Sequence, residues 1–188
     1  MKPARVQDRF FFAVVPPVET AERIAAHARA MGLKRARVTA DRLHMTLAIT
    51  KDFDQGECPP AYVETLLRAG RRIAAAPFEM MLGKIVVGKE SILAQPGEGH
   101  AGGKAVYDCI AQAMAGMRAP LRPKVRYSPH MTLSYDTALT SRGLRKLGFG
   151  WQVTEVLLIH SLVGLHRHEV LDRWPLVPPP VRQASFAF

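Results

Sequence analysis

The sequence predicts an α+β protein built as a diverged duplication, with two lobes facing each other across a centre. Three observations lead there. Helical and strand-like segments alternate along the 188 residues. The tetrapeptide His-Met-Thr-Leu occurs twice, in "LHMTLAIT" (43–50) and "PHMTLSYD" (129–136), with its histidines 86 positions apart. Each copy follows a helical segment and precedes another helix or turn, and then a strand with an aromatic start, at Phe78 and at Trp151. A period of that length excludes a solenoid.

The elements follow in order. "RFFFAVVP" (9–16) has the aromatic and β-branched run of a buried strand. "VETAERIAAHARAMG" (18–32) is rich in Ala and Arg and stops at Gly32, the pattern of a helix. "HMTLAIT" is a strand, and 57–77 reads as a second helix after Pro59-Pro60, ending before Pro77. Residues 78–88 and 91–96 form a hairpin or meander about a turn at 88–90. A helix is expected over 104–117, then a Pro- and Arg-bearing loop, then a strand over 130–135. A short helix or turn is expected at 139–148, one long strand or two with a break at 151–164, and a last strand at 168–176. Residues 1–176 therefore form one bilobal domain, and the Pro-rich tail 177–188 is expected to be extended or poorly packed.

Apolar residues make up 48% and charged residues 22%, as in an ordinary globular domain, which excludes wholesale disorder. The formal charge of +10 attracts polyanions, RNA first among them. The densest basic clusters, "LKRAR" (33–37) and "LRPKVR" (121–126), each stand shortly before one copy of the repeat, where they suit the rim of a cleft. Cys58 and Cys109 are isolated and make no CxxC ligand set. "FFFAVV" (10–15) is too short for a leader and lacks a cleavage site, and no run approaches the roughly 18 apolar residues of a membrane span. A monomer in the cytoplasm, away from membranes, is the expectation.

Strand side chains alternate between faces. In the first copy Leu43, Met45, Leu47 and Ile49 share one face, and His44, Thr46 and Ala48 the other. In the second, Met131, Leu133 and Tyr135 share one face, and His130, Thr132 and Ser134 the other. A single histidine on a strand is more often structural than catalytic. Two His-x-Thr-apolar copies in one short chain are far rarer by chance, and duplication of a core strand would preserve only its apolar positions.

Two imidazoles and two hydroxyls converging on a cavity suit phosphodiester chemistry. At neutral pH one imidazole can accept a proton while its twin donates one. The hydroxyls can stabilise the charge on non-bridging phosphate oxygens. A metal site would want Asp, Glu or Cys close by. Asp41 and Asp136 flank the copies without a recognised ligand spacing, so no metal and no cofactor is expected.

These residues resemble the two-histidine (2H) phosphoesterases, and within them the RNA 2′,3′-cyclic phosphodiesterases, also called the 2′-5′ RNA ligase family. The opening strand "RFFFAVVPP" (9–17), both motifs, and the closing "WQVTEVLLIHSLVG" and "HEVLDRWPL" carry the resemblance over about residues 9–176. It implies two antiparallel sheets flanking a central cleft, with helices outside. It also implies hydrolysis of 2′,3′-cyclic phosphate ends of RNA to 2′-phosphomonoesters, with weak reverse 2′-5′ ligation. His44 would be the acid at the 3′ oxygen, His130 the base for water, and Thr46 and Thr132 phosphate ligands. Phe11, by stacking on a base, and Ser134 are further candidate substrate contacts, although Phe11 also fits plain core. Many relatives carry Arg or Lys just after the second motif, where this chain has Ser134 and Tyr135, and a Tyr where it has His166 or His168. Tyr135 is expected in the core, and His160 and His166 in structural or exposed positions. The rival readings are a 2H phosphoesterase for a small cyclic phosphate, a cyclic nucleotide or a cyclic ADP-ribose phosphate, and a non-catalytic RNA-binding module.

Overall fold

The strand β1 (Gln7–Val14) is apolar on both faces because it lies inside the sheet. Phe10, Phe12 and Val14 enter the main core, while Phe11 and Ala13 join Leu157 and Ile159 in a smaller cluster on the other face. The computed structural model describes residues 6–33, 37–97, 101–119, 121–122, 127–135, 147–165 and 167–178.

The remaining strands are β2 (Met45–Asp54), β3 (Phe78–Val87), β4 (Ile92–Pro96), β5 (Met131–Ser134), β6 (Phe149–Val153), β7 (Glu155–Val163) and β8 (Arg167–Pro175). The helices are α1 (Val18–Ala30), α2 (Pro60–Gly70) and α3 (Ala101–Gly116), with a single 3-10 turn at Ala40–Arg42. The expected α+β class is observed. All strand pairings are antiparallel, in the order β6-β3-β4-β5-β2-β1-β7-β8. The two sheets expected to flank a cleft are the two four-stranded halves of this one sheet, joined where Met45 of β2 pairs with Met131 of β5. Thr154 alone separates β6 from β7, which belong to opposite halves, so the sheet curls. The outer strands suit their place: β6 is short, and β8 is largely exposed and carries charged side chains.

The main core lies between the helices and one face of the sheet. α1 buries Ala21, Ile24, Ala25 and Ala28, one stripe at helical spacing. The expected helix over 57–77 stops at Gly70: the chain tightens into turns from Arg72 N–H to the Ala69 carbonyl and from Ile73 N–H to the Gly70 carbonyl. Pro77 then favours an extended residue before it. The third helix starts at Ala101, three residues before its expected start, and takes in Gly102 and Gly103. A Cβ on Gly102 would meet the Phe78 side chain at 2.3 Å, so these glycines let α3 approach β3. The helix or turn expected at 139–148 lies, but for its last two residues, outside the described residues, as does 179–188 of the tail.

Gly70 ends α2 beneath the Trp174 ring, where an added Cβ would lie 2.2 Å from the nearest ring atom. Helix propensity would favour alanine by about 1 kcal/mol. Overpacking against a rigid buried ring costs about 1–3 kcal/mol. Gly70→Ala is therefore expected to lower the thermal midpoint. Gly116→Ala, at an open position with nothing within 4 Å, is expected to leave it unchanged or raise it.

Candidate active site

In an antiparallel pair, residues directly opposite each other point to the same face. The Met45–Met131 pairing therefore sets His44 across from Thr132, and Thr46 across from His130. Both methionines are fully buried in the core. The four polar side chains take the opposite face and line one cavity of about 480 Å³. A volume of that order is typical of small-ligand sites. Beyond this pairing β2 and β5 separate. Further along β2, Arg122 occupies its edge, its backbone N–H donating to the Ile49 carbonyl at 3.0 Å.

The two imidazoles are held alike. His44 Nδ1 lies 2.8 Å from the Arg42 carbonyl, and His130 Nδ1 lies 2.9 Å from the Ser128 carbonyl. A carbonyl can only accept, so Nδ1 carries the proton in both rings. Each Nε2 is left to accept a proton when the ring is neutral and to donate one when it is charged. The Phe11 ring stacks on His44 at 5.0 Å, and His168 meets both rings edge-on, at 5.1 Å from His44 and 5.7 Å from Phe11.

The structure thus brings His44, Thr46, His130, Thr132 and Phe11 to one cavity. Phe11 is 4% exposed, with its ring against His44, which fits its reading as core more than as a base-stacking platform. Ser134 is not brought there: it is fully buried and absent from the cavity wall. Tyr135, expected in the core, is 54% exposed and lines the cavity. The cause is a bulge. Ile92 pairs with Ser134 but Leu93 pairs with Thr132, so β5 fits one extra residue against β4 and the alternation of its side chains reverses.

His160 is structural as expected: Nε2 lies 2.8 Å from Asp8 Oδ1, and the ring stacks on Phe10. His166 lies outside the described residues. Of the basic clusters, Arg122 lines the cavity, whereas Arg37 bridges to Ser134 and lines a separate surface groove; 34–36 and 123–126 are outside the described residues. Arg9 and Arg42 are cavity residues that stand outside the residues expected at the site, and His168, one of the two positions where relatives carry a Tyr, joins them. Arg9 carried a signal, since it stands two residues from Phe11 on a strand and so shares its face. Among the described residues, no group of three or more His, Cys, Asp or Glu could hold a metal ion, and no helix is long and apolar enough to cross a membrane.

The family model for the 2′-5′ RNA ligase superfamily matches residues 16–164, which include both motifs. Several solved structures are similar. Escherichia coli LigT in apo form is 28% identical, covers 93% of this chain and 99% of its own, and superposes with a TM-score of 0.70. The complex of E. coli LigT with 3′-AMP shows 26% identity, coverage of 91% and 99%, and a TM-score of 0.72. TT0787 of Thermus thermophilus, at 21% identity, shares the fold, with coverage of 90% and 98% and a TM-score of 0.72. No curated protein matches the sequence.

Burial pushes the His44 pKa below the ordinary histidine value; the Arg42 carbonyl opposes this, and the charges of Arg42 and His130 reinforce it. The unfolded chain consequently binds a proton at His44 that the folded chain refuses. By linkage, His44 leaves stability at its full value above about pH 6.5 and erodes it as pH falls from there toward the lowered value. His44→Asn, which keeps a donor for the Arg42 carbonyl, is expected to show a smaller loss of stability between pH 7.5 and 5.5 than the parent in urea melts. An equal loss in both would contradict a depressed His44.

Proposed function

The chain belongs to the 2′-5′ RNA ligase superfamily, and from that premise we propose that it hydrolyses 2′,3′-cyclic phosphate ends of RNA to 2′-phosphomonoesters, using its paired histidines and no metal. The observation that carries this reading is the register of β2 against β5, which sets two His-Thr pairs at one cavity. A relative that binds 3′-AMP, the LigT complex, supports a nucleotide as the occupant.

In this reading the phosphate sits between His44 and His130, its non-bridging oxygens taking hydrogen bonds from the Thr46 and Thr132 hydroxyls. Water attacks phosphorus and gives its proton to His130 Nε2. The bond from phosphorus to the 3′ oxygen breaks, and His44 Nε2 protonates that oxygen as it leaves. The products are a 2′-phosphate and a free 3′ hydroxyl, and the two imidazoles exchange their extra proton through solvent. The reverse step, a 2′-5′ joining, uses the same groups. Depression of the His44 pKa makes its protonated form a stronger acid, and an anionic substrate offsets the burial that keeps it neutral in the free protein. The cavity is also of a size for a small cyclic phosphate, so chain length is the variable that separates the two substrate classes.

His44→Ala and His130→Ala are each expected to lower kcat/KM on a nucleoside 2′,3′-cyclic phosphate by roughly 10²–10⁴-fold, while EDTA leaves the parent rate unchanged. A parent rate lost to chelation and restored by zinc would overturn the reading. The pH–rate curve is expected to be bell-shaped, and its two limbs belong to the coupled pair rather than to either ring. Roles are separated by a substrate with sulfur at the 3′ bridging position, which leaves as a thiolate and needs no proton. His44→Ala should recover most of its loss on that substrate and His130→Ala should not; the opposite pattern exchanges the acid and the base.

A further inference from the structure

The cleft continues past the histidines. Arg9 lies two residues from Phe11 on the same face of β1, about 6.5–7 Å along the strand. Its Nε and one terminal nitrogen donate to the Asp52 carboxylate at 2.9 and 2.8 Å. Arg122 donates to the same carboxylate from one terminal nitrogen, and its Nε donates to the Thr50 carbonyl at 3.2 Å. Both arginines line the cavity, and Asp52 stands behind them. All three side chains are largely shielded, with relative exposures of 30%, 28% and 19% for Arg9, Arg122 and Asp52.

Two guanidiniums on one carboxylate leave one net positive charge at this end of the cavity. Each guanidinium offers five N–H donors in a planar fork, and the bonds above use only part of each set. Bracing by Asp52 removes rotamer freedom that a lone arginine would lose on binding, and half-burial reduces screening by salt. Planar forks of this kind match the oxygens of a phosphate. Arg9 pairs with Asp52 and Val14 with Met45, so Asp52 stands five β1 residues, about 16–17 Å, along the strand direction from the residue beside His44, and a phosphate held between the two histidines is not the one this pair can hold. No cation in the second motif competes for the role, since Ser134 and Tyr135 follow Leu133.

We infer that Arg9 and Arg122, braced on Asp52, form a second phosphate subsite that takes a backbone phosphate 5′ to the cyclic end of an oligoribonucleotide. This deepens the cyclic-phosphate reading above and rests on it for the direction in which the RNA lies. A substrate of more than one nucleotide then places its reacting phosphate at the histidines and an upstream phosphodiester on the guanidiniums.

The test compares three substrates ending in a 2′,3′-cyclic phosphate: a mononucleoside, di- and trinucleotides, and the same oligonucleotides with a neutral methylphosphonate linkage. The parent is expected to show a KM roughly tenfold lower, or better, for a charged oligonucleotide than for the mononucleoside. The advantage should vanish with methylphosphonate and in Arg9→Gln and Arg122→Gln, and should fade at high salt. An advantage kept by the neutral linkage, or unchanged in both variants, overturns the subsite. The methylphosphonate arm uses the unaltered protein, so it decides the matter even where a variant folds poorly. Calorimetric binding of a dinucleotide ending in a 2′-phosphate, charged or neutral at its linkage, needs no turnover. A preference for the charged linkage in a protein that hydrolyses no cyclic phosphate would keep the subsite and reject the reaction; equal binding of both would reject the subsite itself.

Discussion

A single cross-strand pairing organises this molecule: Met45 of β2 against Met131 of β5. It joins the two halves of the sheet, and it joins them at equivalent residues of the two motifs. Strand geometry then dictates the rest. Opposite residues face the same way, so the methionines go to the core, and each histidine stands across from the other motif's threonine. A shift of this register by one residue would turn the imidazole of one motif into the core, where an unpaired polar ring is costly. The same pairing that buries apolar surface therefore also assembles the site, which couples the stability of the β2–β5 seam to the geometry of the cleft.

Around that seam the imidazoles are fixed from behind. Carbonyls two residues upstream, of Arg42 and Ser128, accept a hydrogen bond from Nδ1–H in both rings and orient both Nε2 atoms alike. The environments nevertheless differ. His44 has Phe11 stacked on it and His168 at its edge, and burial lowers its pKa. The Nδ1 bond of His130 is the more exposed of the two. A duplicated motif thus sits in two unlike surroundings, which is what acid–base division of labour between chemically identical side chains requires.

Much of this was legible in the chain. Both motifs, the two-sided β1 and the helical stripe of α1 follow from periods of 2 and 3.6, which are local properties of the backbone. The break between β6 and β7 was legible as an alternative. Boundaries were less so: α2 stops at Gly70, short of the expected end, where the chain tightens into turns and Trp174, more than a hundred positions away, packs on Gly70. The exchange of Ser134 and Tyr135 between core and cleft was illegible for a related reason. The bulge that reverses them exists only in the pairing of β5 with β4.

The amino-acid sequence by itself determined that His and Thr would share a face in each copy, because side-chain direction over three successive strand residues is a local matter. Only the tertiary structure decided that the two faces are one wall. Only it decided that Arg9, Asp52 and Arg122, separated by 43 and 70 positions, form one braced cluster at its far end. Contacts of that kind depend on register between distant strands, which is set by how the whole apolar surface is buried and not by any local pattern.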